Sequence, residues 1–111
     1  MTIWREMKEK ELILQGCLMS SGAIVKSTFP AEYKKQLAVA RQALLYIFKS
    51  AAQNSEGYDE AHMEVGYHHY SGYQLDANTI LICFCDSDAR QHYLREYIDE
   101  NKQRFLDLLS V

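Results

Sequence analysis

The sequence predicts an α+β domain, a three-layer α/β/α sandwich around a five-stranded, mainly antiparallel sheet. Three observations lead there. The run TILICFC, residues 79–85, is apolar at almost every position, so both faces of that strand need cover. The segment AEYKKQLAVARQALLYIFKSAA, residues 31–52, has helical periodicity and no internal breaker. Short β-prone runs separated by Gly-, Ser- and Asn-containing turns flank that helix on both sides. A sheet covered by helices on both faces is the packing that satisfies all three. The predicted order is α-β-β-α-β-β-β-α, and residues 1–111 form a single domain.

Each element has a local reason. Ile3, Met7 and Leu14 recur at helical spacing and predict a first helix with one apolar face, with Trp4 packing it onto its neighbour. In GCLMSSGAIVKSTF two apolar runs surround Ser20-Ser21-Gly22, the pattern of a hairpin. Pro30, the one proline, stands at the first turn of the long helix, where its missing N–H is not needed. NSEGYDEA reads as a loop. HMEVGYHHYSGYQLDANTILICFCD then reads as three strands. The first turn is placed at Ser71-Gly72 and the second at Asp76-Ala77-Asn78. Ser87 caps a last helix whose apolar stripe is Leu94, Tyr97, Ile98, Phe105 and Leu108. Asp86 and Asp88 fall at its positive end, and His92 on its surface.

The totals exclude several classes. Hydrophobic residues make up 48% and charged residues 24%, a globular rather than a disordered balance. A net charge of −3 provides no general field for nucleic acid. The apolar runs are too short to span a membrane, and MTIWREMKEKELILQG lacks an apolar signal core, so no membrane insertion and a cytoplasmic location are expected. Three cysteines make no closed disulfide framework. Cys83 and Cys85 lie two apart on one strand, about 6.6 Å between Cα atoms with parallel side chains, so a bond between them is disfavoured. Their readings are buried packing or a metal or redox role, and the spacing lacks the Cys-x2-Cys of a zinc site. No nucleophile elbow, phosphate-binding glycine loop or zinc-protease motif is present, so no catalytic, cofactor or metal residue is assigned and no enzyme activity is expected.

The long helix has more apolar surface than one sheet contact requires. Tyr33, Leu37, Ala40, Leu44, Ile47, Phe48 and Ala51 fall in one sector of the helical wheel and predict the sheet face. A second sector holds Val39, Ala43, Tyr46 and Ser50, small or amphipathic residues suited to close helix packing. It is either a self-association surface or a face covered by the loop at 53–61. The remaining sector carries Lys34, Lys35, Arg41 and Lys49, a basic face on an acidic chain that suits an acidic partner or ordinary solvation.

GYHHYSGY is the most unusual stretch. With a turn at Ser71-Gly72, Tyr70 faces Tyr73, His68 faces Leu75 and Tyr67 faces Asp76. His68 and His69 point to opposite faces and cannot share a metal in a regular strand. Tyr67, His68, His69 and Tyr70 are either an interface on an edge strand or hairpin packing alone.

The element order, LQGCLMSSGAIVKSTFP leading into the Ala-rich helix, and TILICFCDSDARQHYLREYI leading from last strand into last helix together resemble the Roadblock family. These are the dynein light-chain-like domains also found in bacterial regulators of small GTPases. The resemblance covers nearly the whole chain and rests on patterns rather than a catalytic signature. Its hairpin turn departs from the family's frequent Asp before Gly, having Ser20-Ser21-Gly22. The resemblance implies that the last strand lies beside the first. It implies the first and third helices on one face and the long helix on the other. Cys17 would then neighbour the Cys83 strand, where a bond is geometrically conceivable. The resemblance also implies homodimers paired through the long helix and the strand that follows it, acting as non-enzymatic adaptors, some on a small GTPase. The alternative is a small-ligand sensor of related profilin-like or PAS-type architecture, which needs a cavity between sheet and helix.

Overall fold

The computed structural model describes residues 2–53, 59–86 and 90–110. Helix α1 (Ile3–Glu9) leads into the hairpin β1 (Gln15–Ser20) and β2 (Ala23–Ser27). A 3-10 turn, Ala31–Tyr33, precedes the long helix α2 (Lys34–Gln53). Strands β3 (Glu60–Val65), β4 (His68–Asp76) and β5 (Thr79–Cys85) follow, then α3 (Gln91–Glu100), α4 (Lys102–Asp107) and a closing 3-10 turn, Leu108–Ser110. The strands form one sheet in the order β2-β1-β5-β4-β3, and every neighbouring pair is antiparallel. The predicted α+β sandwich is therefore present, with β5 at the centre beside β1.

Alternation along each strand divides the core between two faces. On one face Cys17, Met19, Tyr70, Ile80, Ile82 and Phe84 pack under Leu37, Ala40, Leu44 and Phe48 of α2. On the other, Leu18, Tyr73, Leu81, Cys83 and Cys85 pack against Ile3 and Met7 of α1 and Leu94, Ile98 and Phe105 of α3 and α4. All seven residues of β5 are buried, as its composition demands. Among the described residues no helix is long and apolar enough to cross a membrane.

Several local predictions are corrected. The first turn of the three-strand unit is not Ser71-Gly72. The chain turns at Gly66-Tyr67, with Gly66 at φ +65°, and Ser71 and Gly72 lie inside β4. The register is Val65 to His68, Met63 to Tyr70 and Glu60 to Tyr73, so the facing pairs expected for Tyr67, His68 and Tyr70 do not form. Gly72 has a different task. A Cβ there would sit 3.0 Å from Leu44 and 3.3 Å from Phe48, so its absence lets α2 approach the sheet. The β1–β2 hairpin does turn where expected, with Ser21 at φ +52° and Gly22 at φ +85°, both central residues left-handed.

The first helix is shorter than the Ile3–Met7–Leu14 spacing suggests. It ends at Glu9, and Glu11 adopts φ +59°. This redirects the chain so that Leu12 and Ile13 reach the core, while Leu14 is exposed and donates its N–H to the Phe84 carbonyl. The last helix is broken at Asn101, whose side-chain amide donates to the Tyr97 carbonyl at 2.8 Å. The break keeps Phe105 buried beside Leu94 and Ile98. The expected Ser87 cap and Asp88 lie outside the described residues; Asp86 is exposed.

Two contacts join the helices of this layer. Tyr97 Oη donates to Glu6 at 2.9 Å, and Arg104 donates to the same carboxylate from two nitrogens. Arg104 first, then Tyr97, holds the Glu6 carboxyl down at about 2. Trp4 packs edge-on to Phe105 with centroids 6.0 Å apart, the neighbour contact expected of it. It does so across Gly16, where a Cβ would fall 2.6 Å from the Trp4 ring. Gly16→Ala is expected to destabilise the fold by about 1–3 kcal/mol through overpacking. It should also displace Trp4, the sole tryptophan. Urea unfolding followed by intrinsic emission reads both effects, and an unchanged midpoint and spectrum would contradict this packing.

Candidate functional site

The outer surface of α2 is built as the helical wheel requires. Leu37, Ala40, Leu44, Phe48 and Ala51 are buried, and Tyr33 and Ile47 partly so. In the second sector Val39 is 52% and Tyr46 72% exposed, with Ala43 and Ser50 half-buried between them. One contact orients this sector. Gln36, on the same flank of α2, accepts a hydrogen bond from Tyr70 Oη of β4 at 3.0 Å. Arg41 falls on the opposite flank by helical period. The Val39–Tyr46 stripe therefore runs along the β3 side of α2.

Strand β3 is one edge of the sheet and β2 the other. The β1–β2 ladder carries a register shift, and β2 carries Lys26, both of which discourage further pairing. The β3–β4 ladder is regular through all six residues. An uninterrupted edge thus lies next to the apolar stripe of α2.

The tyrosine–histidine stretch does not act as one surface. Tyr67 is fully exposed at the turn. His68 faces α2, its ring 4.9 Å from Phe84 and 6.3 Å from Tyr33. His69 points to the opposite face. Tyr70 is buried, and burial pushes its phenol up to about 12. The expected place of Tyr70 in an exposed interface is corrected accordingly, since its ring is core beneath α2. The stretch also lies on β4, one strand in from the edge.

Lys34, Lys35 and Lys49 are exposed and Arg41 half-buried. Among the described residues none of the four forms an ion pair. They occupy the outer and β1-facing flank of α2, beside the apolar stripe rather than across it.

The cysteines are packing residues on two different faces. Cys17 faces α2, while Cys83 and Cys85 face α1 and α3. The sheet separates them, so the conceivable Cys17 bond is excluded, and all three are free and buried. Burial pushes the Cys17 thiol up to about 11, Cys83 well above its ordinary value and Cys85 upward as well. The Cys85 Sγ donates to the Leu12 carbonyl at 3.7 Å. Near it is an open depression of about 340 Å³ lined by Lys8, Glu11, Leu12, Ile13, Cys85 and Arg90, with Arg90 and Glu11 3.6 Å apart.

A polar cluster that sequence reasoning missed lies beyond α3, on the β3–β4 hairpin. Glu60, His62 and Glu64 share one face of β3, and His69 and Tyr73 share that face of β4. His62 Nδ1 is 3.1 Å from His69 Nε2, and its Nε2 is 2.5 Å from Glu60 Oε2. Arg95 of α3 donates to Glu60 at 3.3 Å and pairs with Asp59 at 3.0 Å and Asp99 at 3.1 Å. Although partial burial pulls the other way, hydrogen bonds to Asp59 and Asp99 raise the Arg95 pKa above its ordinary value. The sequence carries this cluster only through the register. Once the turn is set at Gly66-Tyr67, His62 falls diagonally opposite His69. His92 is exposed and pairs with Glu96 one helical turn on, as a surface residue.

No protein-family model matches the chain, and no curated protein matches it.

With such thiol environments the folded protein is expected to react only slowly with a thiol-exchange reagent at neutral pH, because the thiolate is the nucleophile. All three cysteines should react at once in denaturant. Fast labelling of even one thiol in the folded state would contradict the buried assignment.

Proposed function

We propose that this chain is a non-enzymatic homodimeric adaptor or regulatory domain of Roadblock type that binds and regulates a small GTPase. The observation that carries the dimer is the stripe Val39–Ala43–Tyr46–Ser50 running beside the regular edge strand β3; the alternative cover, the loop at 53–61, lies mostly outside the described residues. A twofold axis near that line lets α2 pack on its copy while β3 extends the sheet across the interface. The placement of β5 beside β1, with α2 on one face and α1 and α3 on the other, agrees with what the Roadblock resemblance implies. In this arrangement Lys34, Arg41 and Lys49 remain on the flank away from β3, available to an acidic partner surface, while Lys35, one turn before Val39, borders the stripe.

A second reading, small-ligand sensing, is favoured by the depression at Lys8, Glu11 and Arg90, whose volume of about 340 Å³ suits a small polar molecule. It lies at the end of β5, outside the α2–β3 region, and does not account for the exposed stripe.

Light scattering coupled to gel filtration, over a concentration series, is expected to give twice the chain mass. Tyr46→Glu is expected to give the single-chain mass without loss of fold, because a charge is then placed inside an apolar interface. A monomer in the unmutated protein removes the dimer reading. For the partner, the purified chain is expected to retain a small GTPase in one nucleotide state and not the other. The double variant Lys34→Glu, Lys49→Glu should lose that retention. Binding indifferent to nucleotide and to these lysines would count against the GTPase assignment.

A further inference from the structure

We propose that His62 and His69 form a binding site for a divalent transition-metal ion of the zinc, nickel or copper class, on the exposed face of the β3–β4 hairpin. The two imidazoles are diagonal neighbours across a regular antiparallel ladder and present Nδ1 of one and Nε2 of the other at 3.1 Å. Zinc–nitrogen bonds of about 2.0–2.1 Å at a tetrahedral angle need nitrogens about 3.3 Å apart. Small side-chain rotations reach that geometry, and the proton between the two rings moves through water to Nδ1 of His69, so that both facing nitrogens offer lone pairs to the ion.

The orientation of His62 is set in advance. A carboxylate only accepts, so Glu60 takes the Nε2–H, and in the neutral ring this leaves the lone pair on Nδ1 directed to His69. A carboxylate behind a metal-bound imidazole fixes its tautomer and raises its basicity in the same manner. Glu60 is in turn held by Arg95, and Arg95 by Asp59 and Asp99, so the support reaches back to α3. Asp59 and Asp99 also offset the Arg95 charge that would otherwise repel a cation.

Among the described residues no group of three potential ligands is already gathered around one point. The site is therefore an open one, with two protein nitrogens and remaining positions for water. Glu64 stands opposite His69 in the register and on the same face, so it supplies a carboxylate after side-chain rotation. The His62 side chain is 34% exposed, which gives an ion direct entry. Borderline-soft ions that favour imidazole suit this donor set better than magnesium or calcium. The side chains project from the sheet face rather than its edge, so pairing of β3 with a second copy leaves the site accessible.

Isothermal titration of the untagged protein with zinc and with nickel at neutral pH is the test. The expected result is one ion per chain, lost in His62→Gln and in His69→Gln. Glu60→Gln should bind about 10–100-fold more weakly. His92→Gln, a surface histidine on α3, should bind as the parent does. Nitrogen-15 spectra of the histidines should place the ion-induced shifts on Nδ1 of His62 and Nε2 of His69. Absence of binding, binding that survives His62→Gln, or equal weakening by His92→Gln would overturn the proposal, and the last two would identify dispersed surface coordination.

Discussion

The seven residues Thr79–Cys85 are all buried, and a strand buried on both faces requires a helical layer on each. Much of the architecture follows from that constraint. α2 is amphipathic on one side because it must cover Cys17, Ile82 and Phe84. α1, α3 and α4 together cover Leu81, Cys83 and Cys85. On the edge strand β3, Ala61, Met63 and Val65 pack under α2, while Glu60, His62 and Glu64 on its other face carry the polar chemistry shared with β4.

The same constraint explains how far the sequence could be read. TILICFC and the wheel of residues 31–52 are long, strongly patterned segments, and their roles are set by burial alone. The sheet face of α2 was legible residue by residue, from Leu37 to Ala51. The tyrosine–histidine stretch was not. Ser71-Gly72 and Gly66-Tyr67 are both acceptable turns by composition. What separates them is tertiary: Gly72 is needed where Leu44 and Phe48 press on the sheet, so it serves close packing rather than a reversal. The first and last helices were overextended for a related reason. Glu11 and Asn101 lie in sequences with good helical propensity, and the chain leaves the helix there because Leu12, Ile13 and Phe105 have to reach the core.

Register is also what makes or hides the candidate site. Placing the turn five residues late pairs His68 and His69 with the wrong neighbours and removes His62 from view. Placing it at Gly66-Tyr67 brings Glu60, His62, Glu64 and His69 onto one surface. The stripe on α2 was legible because a helix surplus to its sheet contact shows up in a wheel. The imidazole pair was not, because it exists only between two strands and no spacing along one of them reports it.

The Glu6 clamp has a consequence for the order in which this molecule assembles. α2 packs on β3 and β4, strands that follow it directly in the chain. Glu6 meets Tyr97 and Arg104, which stand 91 and 98 positions away. Closing so long a loop carries a larger entropic cost than closing a short one. The sheet, which pairs β1 with β5, already brings the two ends of the chain together and shortens the loop that the Glu6 contact has to close. Contacts made after the rate-limiting barrier leave the folding rate almost untouched and govern escape from the native state. A Glu6–Arg104 pair closed on an already assembled sheet acts in that sense as a latch, bearing on how long a folded molecule lasts rather than on how quickly one forms.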